Sequence, residues 1–262
     1  MTVEISQAFV EDIKKWVSAQ MEAIGSKKAV VGISGGKDSA VVATLMTAVL
    51  GKENVYGVLM PDGNQDDIDF ARDLVKELGI ASQELSIAPM TKAFYEVLES
   101  VDDSWFSELS RQTKLNLSPR VRMSLLYAIA QSIGAVVVNT SNLSEDWVGY
   151  ATIYGDTAGA FSPLGQLTTE EVIGLGLALG MQERFVLKPP SDGLTGKTDE
   201  DVLGFTYETL NRYIRDGIAP SPEVKEHIDR LHRQSRFKFL PIPMYPAPFK
   251  IAADDIAGIY KK

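Results

Sequence analysis

A short segment rich in glycine and hydroxyl groups, placed directly after an apolar run, is the part of this sequence best suited to chemistry. The apolar run ends at Gly32 and Ile33, and the next six residues are Ser34-Gly35-Gly36-Lys37-Asp38-Ser39. Adjacent glycines let a backbone approach an anion closely, the first N–H groups of a following helix point at that anion, and serine hydroxyl groups can donate to it. The segment is therefore predicted to bind phosphate groups at the start of a helix.

The spacing of this loop excludes two common nucleotide-binding motifs. A Walker A loop has Gly-x-x-x-x-Gly-Lys followed by Ser or Thr, whereas this chain has Val31 at the first glycine position and Asp38 after the lysine. The Gly-x-Gly-x-x-Gly spacing of dinucleotide-binding loops is also absent. The pattern Ser-Gly-Gly-x-Asp-Ser instead resembles the pyrophosphate loop of the N-type ATP pyrophosphatases, which cleave ATP between its α- and β-phosphates to adenylate a substrate. The alternative is an ordinary βα turn, with Asp38 favoured near a helix N-terminus.

A second carboxylate is predicted to lie near this loop. Asp38 follows a predicted strand at residues 28–33, and Glu145 follows another at residues 135–140, so both lie at carboxyl ends of strands in one sheet. A pair of carboxylates beside phosphate oxygens is the usual way in which proteins hold Mg²⁺. A capping box between Asn142 and Glu145 would also explain the glutamate.

Two further polar segments belong to the same region of the predicted fold. Residues 60–67 follow a predicted strand, and their acids either reach the site or simply favour a helix N-terminus. Residues 116–122 place Arg120 and Arg122 at the start of a predicted helix, where an exposed arginine pair is commonplace.

Strands and helices that would position these residues alternate along the first half of the chain. The sequence predicts short apolar strands at residues 28–33, 54–60, 82–87 and 135–140, and helices at 38–50, 66–78, 90–98 and 120–133. This alternation indicates βαβ units and an α/β fold with a doubly wound parallel sheet. In such a fold ligands bind at the carboxyl ends of the strands.

Helices alone are predicted on either side of this alternating region. An amphipathic helix at residues 3–24 comes first, and its apolar stripe either packs on the sheet or serves a subunit interface. A helical C-terminal extension is predicted from helices at residues 168–179, 199–214 and 222–234, followed by a proline-rich, extended arm at 240–249. We expect residues 1–262 to form a single domain.

The composition narrows the class of protein. The chain has 262 residues, of which 45% are hydrophobic, and it contains no cysteine. The lack of cysteine excludes disulfides, cysteine-based zinc sites and a glutaminase with a cysteine nucleophile, so any ammonia must arrive free or from a partner. A net charge of −9 argues against a nucleic-acid partner. Neither a membrane-spanning apolar run nor a targeting segment is found, so a cytoplasmic location is expected.

Five separate segments together resemble the NAD synthetase family, the enzymes that amidate deamido-NAD. The segments are the loop at residues 32–39, the Asn-x-x-x-Arg-x-Arg-Met run at 116–123, Thr140 with Glu145, Tyr154-Gly155-Asp156, and the pair Lys188-Pro189-Pro190 and Lys197-Thr198-Asp199-Glu200. Their order and spacing cover nearly the whole chain. The resemblance implies an adenine nucleotide alpha hydrolase-like fold and an ammonia-dependent amidation through an acyl-adenylate, often in a homodimer.

The resemblance also implies residue roles. It gives the ATP site to Gly32, Ile33, Ser34, Gly35, Gly36, Lys37, Asp38, Ser39, Thr140 and Ser191. It gives deamido-NAD to Arg120, Asp156 and Lys238. Asp38 and Glu145 would hold Mg²⁺, while Asp38 and Lys188 would act directly on the reacting phosphates.

The chain departs from the family pattern at four positions in the half that binds deamido-NAD. Ile153 and Thr169 stand where lysines are usual, Ala160 where an aspartate is usual, and Phe237 where a histidine precedes the lysine. These departures favour one rival, an ATP-dependent amide ligase of the same fold that acts on a different carboxylic acid. A second rival is a non-catalytic nucleotide-binding module, against which the intact Asp38 and Glu145 pair argues.

A loop at residues 189–197 is predicted to close over the bound substrates. It contains Gly193 and Gly196 as hinges, and its polar Ser191, Asp192 and Thr195 cannot supply a packed core of their own. An acyl-adenylate exposed to water would hydrolyse, so a lid would protect it. The alternative is a rigid surface connector.

Overall fold

A parallel sheet lies at the centre of the computed structural model, which describes residues 3–65, 68–102, 104–187 and 199–259. Within this part of the chain the sheet consists of β1 (Ala29–Gly32), β2 (Val55–Leu59), β3 (Ala81–Glu84) and β4 (Val136–Val137). The strand order is β3-β2-β1-β4 and every pairing is parallel, with Ala29 opposite both Val55 and Val136. The chain order reverses beside β1, so the carboxyl ends of β1 and β4 flank a crevice.

Helices cover both faces of the sheet. Successive side chains of β1 point to opposite faces, so each face carries its own apolar core. Ala29 and Val31 pack into one core, which is completed by α1 (Gln7–Ile24), α2 (Lys37–Leu50), α3 (Ile68–Leu78), α7 (Thr169–Ala178) and α8 (Glu183–Val186). Val30 packs into the core on the other face, which is completed by α4 (Ala88–Glu99) and α5 (Arg111–Ile133). The predicted α/β fold with a doubly wound parallel sheet is confirmed.

The apolar stripe of α1 packs within its own chain. Val10, Ile13, Val17 and Met21 all belong to the buried core that α1 shares with α2 and α7. Of the two roles that the sequence left open for this stripe, packing against the chain's own core is the one found.

A third apolar cluster holds together the helices of the C-terminal part. These are α6 (Leu143–Val148), α9 (Asp199–Leu203), α10 (Tyr207–Asp216) and α11 (Pro222–Ser235). Leu210 and Ile228 are fully buried at its centre. After a short 3₁₀ turn at Arg236–Lys238, the described residues up to 259 contain neither helix nor strand, as expected for the proline-rich arm. The predicted helical extension is therefore present.

Two helix predictions need correction. The helix predicted at residues 120–133 is α5, which already begins at Arg111 because Ser110 caps it, its Oγ accepting from the Thr113 N–H at 3.0 Å. Proline inside a helix removes a backbone hydrogen bond and is uncommon, yet Pro119 lies inside α5. The helix predicted at 199–214 is two helices, because Gly204 adopts a left-handed conformation (φ 78°) between them.

Among the described residues no helix is both long and apolar enough to span a bilayer.

Candidate active site

A cavity of about 980 Å³ opens at the carboxyl ends of β1, β2 and β4. Its walls come from both halves of the chain, namely the loop after β1, the segment after β2, the side of α5, the segment after β4, and residues of α9 and α11. This is the crevice at which an open α/β sheet is expected to bind its ligand.

The glycines and serines of the loop after β1 fold it into a tight turn. Gly35 is left-handed (φ 86°), a conformation that glycine adopts without strain. Ser34 Oγ and Ser39 Oγ lie 3.0 Å apart, and Ser39 Oγ also accepts from the Ser34 N–H at 3.2 Å. The Gly36 N–H donates to Ser34 Oγ at 3.2 Å. The two serines therefore hold the turn closed across the start of α2.

The start of α2 forms one wall of the cavity. Its N-cap is Gly36, and no side chain of the described residues caps the helix there. Gly36, Lys37, Asp38 and Ser39 all line the cavity. Because the first N–H groups of a helix have no partner within the helix and carry a partial positive charge, this end of α2 is suited to bind phosphate.

Lys37 and Asp38 form a nearly buried ion pair beside this helix end. Lys37 Nζ lies 2.8 Å from Asp38 Oδ2, and the lysine side chain is only 9% exposed. Burial by itself lowers the pKa of Lys37, but the carboxylates of Asp38 and Glu145 outweigh it, so the pKa is raised and the ammonium stays charged.

Glu145 faces the same ion pair from α6, as the sequence predicted. Asn142 caps α6, its Oδ1 accepting from the Glu145 N–H at 3.1 Å. Burial raises the pKa of Glu145 well above its usual range, and the neighbouring carboxylates of Asp38 and Asp199 raise it further. The ionised form of Glu145 is therefore disfavoured here, and a cation beside it would favour that form.

The donor set of this region fits Mg²⁺ if phosphates complete it. The three carboxylates of Asp38, Glu145 and Asp199 line the cavity and repel one another, a repulsion that a divalent cation would relieve. Within the described ranges no group of three acidic or histidine side chains is close enough to form a metal site alone. Mg²⁺ is normally held by one or two carboxylates together with substrate phosphates, so Asp38 and Glu145 match that pattern.

The segment after β4 forms the opposite wall around a buried asparagine. Asn139 Nδ2 donates to the carbonyl oxygens of Asp156 (2.7 Å) and Ala158 (3.2 Å), while its Oδ1 accepts from the Ser141 N–H at 2.9 Å. A Cβ on Gly159 would lie 2.7 Å from the Asn139 backbone nitrogen, so only glycine fits there. Thr140, predicted to contact ATP, lies next to this asparagine and lines the cavity.

The Tyr-Gly-Asp motif forms a constrained turn at the rim. The Asp156 carboxylate accepts from the Thr152 N–H, and Thr152 Oγ1 donates to Asn116 Oδ1 of α5 at 2.8 Å. Tyr154 is left-handed (φ 59°), which is uncommon for a residue other than glycine. Strained backbone of this kind often occurs at binding sites.

Lys238 reaches the same rim from the 3₁₀ turn after α11. Its Nζ donates to the carbonyl oxygens of Gly149 and Ala151, each at 2.8 Å. Partial burial lowers the pKa of Lys238, while the nearby Asp156 carboxylate acts in the opposite direction. Asp156 and Lys238, both predicted to contact deamido-NAD, therefore lie together on the cavity wall.

The two arginines of α5 point to different places. Arg120 is exposed and donates from Nε to the Ile153 carbonyl oxygen at 3.3 Å, outside the residues that line the cavity. Arg122 lines the cavity and donates from Nε to the Met60 carbonyl oxygen at 2.9 Å. Arg120 is the arginine predicted to contact the dinucleotide substrate, and no such contact was predicted for Arg122.

Asp62, one of the acids for which the sequence left two roles open, lines the cavity. Its carboxylate accepts from Thr91 Oγ1 of α4 at 2.9 Å and from Ser118 Oγ of α5. It is also the main charge that favours the ionised form of Arg122. Its position directly after β2 was the available signal, and the alternative role of favouring a helix N-terminus obscured it.

The four departures from the family pattern separate into two groups. Ile153 and Phe237 line the cavity, whereas Ala160 and Thr169 do not. Thr169 is buried in the first turn of α7, where its N–H donates to Ser144 Oγ at 3.0 Å and its Oγ1 accepts from Asn211 Nδ2 at 2.9 Å. Thr169 therefore supports packing in this chain, and Ile153 and Phe237 are the two departures that line the cavity.

Some predicted residues lie outside the described residues. They are Lys188, Ser191 and the loop at 189–197. Asp199, the first described residue after that gap, is 8% exposed and lines the cavity. In the sequence, Asp199 is recognised only as part of a family motif, because no local feature indicates that it lies near Glu145.

Comparisons with known proteins show which family the chain resembles. The family model described as NAD synthase matches residues 9–240. The NH(3)-dependent NAD(+) synthetase of Pyrococcus horikoshii is 41% identical over 191 residues, which cover 72% of each chain. The solved structure of an NMN synthetase from Francisella tularensis has a TM-score of 0.84 at 31% identity, covering 92% of this chain and 99% of that one. The NH3-dependent NAD synthetase from Campylobacter jejuni has a TM-score of 0.72 at 29% identity, covering 91% and 98%.

Proposed function

Because this chain belongs to the NAD synthase family, we propose that it amidates deamido-NAD with ammonia at the expense of ATP, giving NAD, AMP and pyrophosphate. The observation that carries the proposal is the phosphate loop at the start of α2, with the carboxylates of Asp38 and Glu145 beside it. That arrangement suits a nucleoside triphosphate with its metal ion, and it lies at the carboxyl ends of the strands.

In the proposed reaction a carboxylate oxygen of the nicotinate attacks the α-phosphorus of ATP. The bond between the α-phosphorus and the bridging oxygen of the β-phosphate breaks, and pyrophosphate leaves. Ammonia then attacks the acyl carbon, the bond from that carbon to the AMP oxygen breaks, and the extra proton passes to solvent. No side chain forms a covalent intermediate, which is consistent with a chain that lacks cysteine.

The residues described above would share this work. The N–H groups at the start of α2 and the charged Lys37 would bind the departing pyrophosphate, and Asp38 and Glu145 would hold the metal. Mg²⁺, when bound, would neutralise phosphate charge and make the α-phosphorus more electrophilic. Thr140 and Ser191 would contact ATP, Lys188 the reacting phosphates, and Arg120, Asp156 and Lys238 the dinucleotide.

We extend the proposal to the state of the protein in the cell. Residues 1–262 are proposed to form one domain that acts as a homodimer, as the family resemblance implies. A cytoplasmic location fits the lack of cysteine. The loop at 189–197 is proposed to close over the acyl-adenylate. Gel filtration with light scattering tests the dimer, and limited proteolysis with and without substrates tests the loop.

A second candidate substrate is nicotinate mononucleotide, the acid whose amidation gives NMN. Two observations favour it: the similarity to the Francisella tularensis NMN synthetase over 99% of that chain, and the apolar Ile153 and Phe237 on the cavity wall. A lysine and a histidine at these positions would offer charge and hydrogen bonds to the second nucleotide half, which the mononucleotide lacks.

The two candidates are separated by kcat/KM for nicotinate mononucleotide and for deamido-NAD, measured with saturating ATP, Mg²⁺ and ammonium. A higher kcat/KM for deamido-NAD supports the first candidate, and a higher value for the mononucleotide supports the second. ATP binding without release of pyrophosphate with either acid would contradict both and would indicate a non-catalytic nucleotide-binding module.

A further inference from the structure

Asn142 connects the two residues of the proposed metal site, through the carboxylate of Asp38 and the backbone N–H of Glu145. It lies between β4 and α6 and is fully buried. Its amide NH₂ donates to Asp38 Oδ1 at 3.0 Å, and its amide oxygen accepts from the Glu145 N–H at 3.1 Å. One rigid side chain therefore contacts both Asp38 on α2 and the backbone of Glu145 on α6.

Capping of α6 explains only half of these contacts. An N-cap needs a side-chain oxygen, which serine, threonine or aspartate would supply as well as asparagine. The amide NH₂ is the group that reaches Asp38, and among these four residue types only asparagine carries it. A second function for the position is therefore indicated by the residue type.

The contact to Asp38 completes the restraint of that carboxylate. Oδ1 is held by Asn142 and Oδ2 by Lys37 Nζ at 2.8 Å, so both oxygens have fixed donors and the plane of the carboxylate is set. A neutral donor also adds no charge to a region in which Asp38, Glu145 and Asp199 already repel one another. An aspartate at position 142 would preserve the cap but worsen that repulsion.

We infer that Asn142 is a positioning residue, which orients Asp38 and Glu145 relative to one another for metal-bound ATP. The inference rests on the proposed function, because it assumes that these carboxylates bind the metal. It assigns to Asn142 no contact with substrate. Its effect is expected on metal affinity and turnover, and not on affinity for the acid substrate.

The test compares two variants with a capping control. Asn142→Ser keeps an oxygen for the cap and loses the NH₂ donor, whereas Asn142→Ala loses both. Ser6→Ala removes the N-cap of α1, in which Ser6 Oγ accepts from the Phe9 N–H at 3.3 Å. Ser6 does not line the cavity. Circular dichroism and thermal unfolding report on folding for all three.

Metal binding is measured apart from turnover, with Mn²⁺ and the non-hydrolysable analogue α,β-methylene-ATP, by electron paramagnetic resonance. Losing a residue that orients metal ligands typically weakens metal affinity by about 10- to 100-fold, so we expect Asn142→Ser to raise the Kd for Mn²⁺ by about tenfold or more. The same variant should lower kcat by a similar factor while the KM for the acid stays within about twofold. Ser6→Ala should change none of these values.

A double-mutant cycle makes the test specific. If Asn142 acts through Asp38, adding Asn142→Ser to Asp38→Asn should weaken Mn²⁺ binding little further. Unchanged Mn²⁺ affinity in Asn142→Ser, or loss of the folded signal at room temperature, would overturn the inference. Wild-type protein that binds Mn²⁺ with the analogue but releases no pyrophosphate would instead refute the proposed function and leave the Mn²⁺ comparison valid.

Discussion

At the scale of single residues, the proposed metal site depends on the charges of Asp38 and Glu145. We predict that Asp38→Asn and Glu145→Gln each reduce pyrophosphate release to background, and that circular dichroism shows both variants to be folded. Asp38→Asn should lower the thermal unfolding temperature, because the nearly buried Lys37 loses its charged partner. Each change removes a negative charge from the proposed metal site without removing an apolar core contact, since both side chains line the cavity. The measurement is release of pyrophosphate from ATP in the presence of Mg²⁺, the acid substrate and ammonium.

Glu84→Gln provides a matched carboxylate-to-amide control. Glu84 pairs with Arg72 on the surface at 2.7 Å and does not line the cavity, so its replacement should leave turnover normal. If Glu145 were only part of a helix cap, its replacement would cost about 1 kcal/mol of stability and little activity. Near-normal turnover of Glu145→Gln would therefore refute its role as a metal ligand.

Two cavity residues should determine the preference for the acid substrate. We predict that the double variant Ile153→Lys, Phe237→His raises kcat/KM for deamido-NAD relative to nicotinate mononucleotide, because it restores polar groups that the family usually has. A tenfold change in this ratio corresponds to about 1.4 kcal/mol, which one or two hydrogen bonds to charged groups can supply.

The buried Thr169 supplies the control for this prediction. Thr169→Lys restores a third family residue, but its position is only 5% exposed and hydrogen-bonded to Ser144 and Asn211. It should destabilise the protein without improving use of deamido-NAD. An unchanged ratio of kcat/KM values in the double variant would show that Ile153 and Phe237 do not determine specificity.

At the scale of the elements, the turn between β1 and α2 must take one particular backbone shape. We predict that Gly35→Ala destabilises the protein by about 1–2 kcal/mol, because its left-handed φ of 86° strains any residue with a Cβ. Gly36→Ala should cost less, since its φ is −85° and a Cβ would meet only Ser34 Oγ at 3.3 Å.

Urea unfolding measures both free energies. Both variants should also weaken ATP binding, because a methyl group at either position hinders close approach of phosphate to the backbone. Equal stability of the two variants would contradict the role given to the left-handed conformation of Gly35.

The elements differ in how far local sequence could predict them. β1, α2 and their turn were predictable because apolar runs, glycines and helix signals agree within a few residues. The start of α5 differs from the prediction because a proline inside a helix is disfavoured, and local sequence does not show that Pro119 is tolerated there. The break at Gly204 was missed because an isolated glycine inside a helical pattern is often tolerated.

At the scale of the whole molecule, the site combines residues that are distant in sequence. Asp38 could be predicted from its loop and Glu145 from its strand end, since parallel strands bring such positions to one edge. Arg122, Asp199 and Phe237 reach the cavity only through the packing of helices, which no local pattern encodes. Family motifs had marked these three positions in the sequence, and the structure supplied their places in the cavity.

The nitrogen donor follows from the composition of the whole chain. We predict that ammonium salts support turnover and that glutamine does not, because this chain has no cysteine to act as a glutaminase nucleophile. The measurement is formation of the amide product with each donor, after the glutamine has been freed of ammonia. Glutamine-driven turnover by the purified protein would contradict the prediction.

The most direct test of the central claim follows the oxygen atoms of the acid. The acid substrate, labelled with ¹⁸O in its nicotinate carboxylate, is converted in the presence of ATP, Mg²⁺ and ammonium, and the products are analysed by mass spectrometry. Formation and aminolysis of an acyl-adenylate predict that one labelled oxygen appears in AMP and none in pyrophosphate. Label in pyrophosphate, or AMP without label alongside amide product, would contradict adenylation of the carboxylate at this site.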